Sequence, residues 1–230
     1  MKKLTVFLPC RSGSQRVAKK NTRTFANNYG GLLSIKINQL LNTINIEKIV
    51  VSTDDILVKK IALEFSSKKI IIDNRPSYLA SSETSTDDLI TYLPQIIESE
   101  HIMWTHVTSP FITSEIYFEA INKYFECIST TNFDSLMSVT PLRTFLWNEN
   151  GPINYDIEVE KWPRTQTLSP VYEINSGFFI ANRSAYINQR NRIGEIPYLF
   201  KLDRIESFDI DWPEDFKIGE LLYKEKFNHD

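Results

Sequence analysis

The residues of this chain best suited to chemistry are a set of cations and hydroxyls near its start and two carboxylates near its end. The first set is Pro9-Cys10-Arg11-Ser12-Gly13-Ser14-Gln15-Arg16-Val17-Ala18-Lys19-Lys20-Asn21, which follows the apolar run LTVFL. One glycine lets backbone N–H groups approach an anion, and Arg11, Arg16, Lys19 or Lys20 can neutralise a polyphosphate. No Gly-Lys-Ser/Thr follows, so this is not a Walker loop. A solvated basic loop is the competing reading. The second set is Asp209-Ile210-Asp211, expected at the end of a late strand over residues 207–210. Period-two alternation turns Ile210 one way and both carboxylates the other. Two such oxygen donors suit Mg²⁺ shared with phosphates. Alternatively, Asp211 caps the helix that begins in Trp212-Pro213-Glu214-Asp215.

Other segments are more ambiguous. Arg75-Pro76, ahead of LASSETSTDD, can project a guanidinium toward a strand-end crevice or form a surface ion pair. Thr108-Ser109-Pro110 can bind a ribose or cap the next helix, and Asp54-Asp55 reads as a helix cap. His106, two residues after Trp104, reads more simply as a packed histidine than a catalytic one. Trp147 and Trp162 read as interface or core aromatics, and Glu214, Glu220 and Glu225 as a solvated helix face.

The elements that must position these groups alternate. Strands are expected at 4–8, 46–52, 69–72, 102–107 and 134–139, and helices at 32–41, 55–65, 87–99 and 114–125. This rhythm predicts an α/β domain: a Rossmann-like, mostly parallel central sheet with helices on both faces. After Thr140 the rhythm breaks into a stretch rich in Trp, Pro and Asn, with an Asn150-Gly151 turn, before strands at 177–181 and 197–202 and a helix at 215–226. One domain over 1–230 with an insertion at 142–176 is the economical organisation. Ligands of such sheets bind beyond the carboxyl ends of the strands, where the loops above are expected.

Bulk composition sets limits. With 230 residues, 42% hydrophobic and 24% charged, the chain can bury a full core and is not disordered. The net charge of −3 provides no electrostatic footprint for duplex nucleic acid or an anionic membrane. Cys10 and Cys127 make no disulfide framework or metal spacing. The opening MKKLTVFLPC has too short an apolar run for a signal peptide, so a cytoplasmic location is expected.

Taken in order, RSGSQRVAKKN, IVVSTDD, RPSYLASSETSTDD, VTSP and SFDIDWPEDF resemble the blocks of the acylneuraminate cytidylyltransferase family, which includes CMP-sialic acid and CMP-Kdo synthetases. The resemblance runs nearly end to end. It implies a homodimeric enzyme that uses CTP and Mg²⁺ to activate a 2-keto-3-deoxy sugar acid for surface glycan assembly. It also implies roles. Arg11 and Lys20 would hold the triphosphate, with Ser14 and Gln15 lining the loop. Asn21, Arg75, Thr86 and Thr108 would address the nucleoside. Asp209 and Asp211 would carry the metal, and Asp211 would accept the hydroxyl proton. Arg143 and Arg164 would approach the sugar, and the insertion would form the dimer contact. Departures fall on the sugar side. His106 stands where sialic acid synthetases commonly have glutamine. Glu173-Ile174-Asn175-Ser176 stands where an arginine often precedes Asn-Gly, and Phe179 replaces a sugar-contacting tyrosine. These changes predict a modified nonulosonic acid as acceptor rather than plain N-acetylneuraminate. Two competitors remain: a nucleotidyltransferase of the same fold for another sugar or NTP, and a non-catalytic nucleotide-binding relative.

Overall fold

A computed structural model describes residues 2–14 and 16–227. Its seven-stranded sheet contains β1 (Leu4–Pro9), β2 (Ile46–Thr53), β3 (Ile70–Asn74), β4 (His101–Thr105), β5 (Ser135–Leu142), β8 (Val171–Asn182) and β9 (Pro197–Lys201). The order is β3-β2-β1-β4-β8-β5-β9. Every adjacent pair is parallel except the two that β8 makes, with β4 and β5. The expected Rossmann-like α/β fold is therefore borne out.

Alternation along the strands feeds two cores. Leu4, Val6 and Leu8 of β1, Met103 of β4 and Phe178 and Ile180 of β8 face one layer, packed under α1 (Gly31–Leu41), α2 (Ile56–Glu64), α4 (Ser114–Thr130) and α5 (Pro213–Phe227). Phe7, Val50, Trp104 and Phe179 face the other, under α3 (Thr86–Ile96) and the π-type turn Ala185–Gln189. Phe7 meets Trp104 edge to face at 4.8 Å between ring centroids, and Trp104 is the register partner of Phe179. Each buried ring adds about 1.5–3 kcal/mol by leaving water.

Local chemistry sets the helix starts. Asp55 caps α2 by accepting from the Leu57 N–H at 2.8 Å, and Ser85 with Asp88 forms a reciprocal capping box on α3. Thr113 occupies the cap position of α4, so Thr108 and Ser109 are released from that duty. Gly31 has φ +58°, and a Cβ there would strike the Arg23 carbonyl, so only glycine lets the chain turn into α1 beside the first loop.

Two expectations about strands are corrected. The strand expected at 102–107 ends at Thr105, leaving His106–Pro110 as a loop. The strand expected at 207–210 does not form. That segment makes one backbone bond to the loop after β4, from the Ile210 N–H to the Thr108 carbonyl at 2.9 Å, instead of a ladder. Alternation survives without the strand: Ile210 is buried in the core, while Asp209 and Asp211 are only partly buried. The stretch after β5 is irregular apart from the small hairpin of β6 (Trp147–Asn148) and β7 (Gly151–Pro152). It leaves Trp147, Val159 and Trp162 more than half exposed. No helix among the described residues is long and apolar enough to cross a membrane.

Candidate active site

The loop after β1 curls over the carboxyl ends of β1 and β4 and encloses a cavity of about 220 Å³. Arg11, Ser14, Lys20, Asn21, His106 and Thr108, all singled out in the sequence, line it together with Arg16. Gly13 sits at φ +70° with open space around it, as a loop that presents backbone to an anion requires. The loop is tied down at its start, where Asp54 at the end of β2 accepts from the Ser12 N–H at 2.8 Å and from the Ser12 hydroxyl. A second cavity of about 240 Å³ shares Arg11, Ser14 and Asn21.

The late carboxylates reach this loop. Lys20 Nζ donates to Asp211 Oδ1 at 2.9 Å and to the Ile210 carbonyl at 2.8 Å, and Arg16 donates to Asp211 Oδ2 at 3.1 Å. Asp215 accepts from the backbone N–H groups of Asp211 and Trp212, so Asp215, not Asp211, ties down this helix entry. Both carboxylate oxygens of Asp211 are thereby available to Lys20 and Arg16. Burial pushes its carboxyl upward, but the bond and charge of Lys20, reinforced by Arg16, prevail and hold it below the usual carboxylate range. Asp209 moves the other way. Burial raises it, the Thr108 hydroxyl opposes, and the neighbouring Asp211 charge adds to the rise. Behind them, fully buried Lys36 donates to the Ser109 carbonyl at 2.8 Å and to the Tyr117 hydroxyl at 2.7 Å.

Among the described residues no group of three or more His, Cys, Asp or Glu could hold a metal unaided. The Asp209–Asp211 pair still fits a hard divalent cation. Asp209 is a partly buried carboxylate whose proton affinity is raised by burial and by the Asp211 charge, and a cation there would offset both effects.

His106 accepts a hydrogen bond at Nε2 from Trp104 Nε1 at 3.0 Å, so its proton resides on Nδ1. Burial, with the charges of Arg192, Lys20 and Lys36, pushes it down to about 3. Its Nδ1–H is thereby left as a donor, and its lowered proton affinity disfavours a general-base role. Cys10, buried and raised to about 12 by desolvation, is an inert thiol.

Other sequence-chosen residues lie elsewhere. Arg75 does not project into the crevice or pair at the surface. Its side chain is 5% exposed and donates to the Ser52 carbonyl at 2.7 Å and the Ser52 hydroxyl at 3.1 Å, beneath the end of β2. Thr86 is exposed on the first turn of α3, and Arg143 and Arg164 are exposed on the excursion after β5, outside the cavity lining. Phe179 is buried in the α3-side core, so it lines no cavity wall; the Arg192 guanidinium covers its ring. Gln15 lies outside the described residues. Sequence reasoning missed the Ser12–Asp54 tie, whose partners stand 42 positions apart, and it missed Arg192. The parallel pairing of β1 with β2 is the signal that could have brought Ser12 and Asp54 together; Arg192 carried none.

Comparison with known proteins decides the family. A family model described as "Cytidylyltransferase" matches residues 5–227. This chain belongs to the cytidylyltransferase family. The acylneuraminate resemblance drawn from its motifs is borne out, and the protein is an enzyme of the nucleotidyltransferase class. It is 26% identical over 236 residues to a pseudaminic acid cytidylyltransferase of Campylobacter jejuni subsp. jejuni serotype O:2, covering 100% of this chain and 99% of that one. It is 25% identical over 232 residues to an N-acylneuraminate cytidylyltransferase of Escherichia coli O18:K1:H7, covering 97% of this chain and 53% of the longer relative. In fold it resembles a CMP:2-keto-3-deoxy-manno-octonic acid synthetase solved with CTP, at a TM-score of 0.69 and 12% identity, covering 98% of this chain and 100% of the other.

Proposed function

We propose that this cytidylyltransferase joins CTP to a 2-keto-3-deoxy sugar acid of the nonulosonic class, releasing pyrophosphate and a CMP-sugar for surface glycan assembly. The observation that carries the reading is that Lys20 and Arg16, which line the cavity, both bond Asp211. Cations for a triphosphate and oxygens for a divalent ion stand within one ligand's reach. In-line transfer at phosphorus depends chiefly on positioning and charge neutralisation, which is what these groups supply.

Arg11, Lys20 and Arg16 bind the triphosphate, and Ser14 and Gln15 belong to the same loop. Asn21 and Thr108 orient the nucleoside. Arg75 supports the end of β2 from beneath the loop, while Thr86 flanks the entrance from α3. Mg²⁺ held by Asp209 and Asp211 would neutralise charge developing on the phosphates. Asp211, ionised at neutral pH, accepts the proton of the attacking anomeric hydroxyl as Lys20 turns to the phosphates. The exposed aromatic excursion, 142–176, forms a homodimer contact, and Arg143 and Arg164 meet the sugar across it. The site of action is the cytoplasm, where CTP is made.

His106 adjoins the acceptor side, presenting an Nδ1–H donor where sialic acid synthetases commonly have glutamine. This supports a modified or di-N-acetylated nonulosonic acid as acceptor, in keeping with a relative that acts on pseudaminic acid. The test is pyrophosphate release with CTP, UTP, ATP and GTP against N-acetylneuraminate, pseudaminic acid, N,N'-diacetyllegionaminic acid and 2-keto-3-deoxy-manno-octonic acid, with and without Mg²⁺. CTP with a modified nonulosonic acid should have the highest kcat/KM. Faster release with another nucleotide, or none with CTP and any acid, refutes the reaction. N-acetylneuraminate equalling or beating the rest refutes the acceptor.

A further inference from the structure

Arg192 is a desolvated cation that forms no ion pair among the described residues. It follows the turn Ala185–Gln189 and is held on a short, well-tied segment: the Asn191 N–H donates to the Ala185 carbonyl at 3.2 Å and the Gly194 N–H to the Ser135 hydroxyl at 2.8 Å. Its guanidinium carbon lies 3.8 Å from the Phe179 ring centroid and 5.6 Å from that of Trp104. Among the described residues it makes no ion pair and no hydrogen bond. Asp87 and the Tyr186 hydroxyl influence it from a distance, and the buried Tyr186 hydroxyl is itself unpaired. Two aromatic faces compensate one side of the cation, leaving five N–H donors unused.

Its position connects it to the reaction. The Trp104 ring under Arg192 is the one whose Nε1 holds His106, and His106 forms a wall of the cavity. The Arg192 charge also acts on His106 itself, ahead of the charges of Lys20 and Lys36. The neighbouring strand β8 contributes no cation of its own, and its one acidic residue, Glu173, is exposed. A planar guanidinium on an aromatic floor matches a carboxylate through two parallel N–H···O bonds.

We propose that Arg192 binds the carboxylate of the acidic acceptor and, with the Nδ1–H of His106 on the cavity wall, sets which sugar acids this enzyme accepts. The inference rests on the cytidylyltransferase reading above and deepens it.

Steady-state kinetics of Arg192→Met and Arg192→Lys test it, using the best acceptor of the panel and its C1 carboxamide, with CTP binding to the sugar-free enzyme measured by calorimetry. Arg192→Met should raise KM for the acid at least tenfold and leave that for the carboxamide within about twofold. CTP affinity should be unchanged, and Arg192→Lys should recover part of the loss. An equal loss for acid and carboxamide, or an unchanged KM for the acid, overturns the inference while leaving the reaction intact. Wild-type enzyme that binds CTP but turns over no sugar acid overturns both. Should Arg192→Met fail to fold, the acid-to-carboxamide preference of Arg192→Lys decides: a preference equal to that of wild type overturns the inference.

Discussion

Lys20 and Asp211 form an ion pair that the reaction should break. In the free enzyme Lys20 Nζ lies 2.9 Å from Asp211 Oδ1, with the lysine side chain 14% exposed and the aspartate 43% exposed. Fully exposed pairs contribute about 0.2–1 kcal/mol, and hydrogen bonds to charged groups about 1.5–3 kcal/mol. The half-open aspartate places this pair between them, at roughly 1–2 kcal/mol. The more exposed Arg16 bond to the other oxygen adds little. Asp211 is held below its ordinary range, so the stabilisation is fully present above the unfolded carboxyl's pKa and is lost as pH falls through the folded one. The assay is a double-mutant cycle of Lys20→Met and Asp211→Asn, read as thermal unfolding at neutral pH with and without saturating CTP and Mg²⁺. Without nucleotide the coupling should be roughly 1–2 kcal/mol, a non-additivity in Tm of about 2–8 °C for a chain of this size. With nucleotide it should fall toward zero, because Lys20 then serves phosphate and Asp211 the metal. Coupling of equal size in both states would refute the exchange of partners, and additivity without nucleotide would refute the pair itself.

Two further predictions follow from the titrating groups. Asp209 is raised by burial, so stability is lost as pH rises from the unfolded carboxyl's pKa through the folded one. Asp209→Asn should raise the Tm of the metal-free enzyme by a few degrees, for about 1 kcal/mol, while lowering kcat at least a hundredfold; a lower Tm would contradict the assigned burial cost. His106 is held at about 3, below its ordinary value, so its contribution to stability is complete above pH ~6.5 and erodes as pH falls toward the folded value. His106→Gln should therefore reduce the acid-side loss of Tm between pH 6 and 4, and the wild-type kcat/KM profile should carry no imidazole limb near pH 6.5; a limb that vanishes in the variant would make His106 a general base after all.

Local pattern carried much of the fold. Alternation in LTVFL and IVVST prescribes strands buried on both faces, as Phe7 and Val50 on one side and Val6 and Val51 on the other demonstrate. The capping chemistry of Asp55 and Ser85 is equally local. The site was legible where it belonged to one loop: Arg11, Ser14, Lys20 and Asn21 share a cavity because they share a turn. Reading 207–210 as a strand failed because composition does not reveal whether a neighbouring edge is available for a ladder, and here one backbone bond to Thr108 takes its place.

The sequence by itself determined which residue types stand at the ends of the sheet, because hydrophobic periodicity and turn chemistry act over a few residues. Tertiary structure decided how those groups are used. Lys20 and Asp211 are 191 positions apart and meet because the segment leading into the last helix docks on the loop after β4, through the Ile210 N–H on the Thr108 carbonyl. Arg75 is drawn under β2 by Ser52, and Arg192 comes to rest on Phe179 only because β8 enters the sheet antiparallel beside β4. Charge and burial act through space, and distance along the chain carries little information about either.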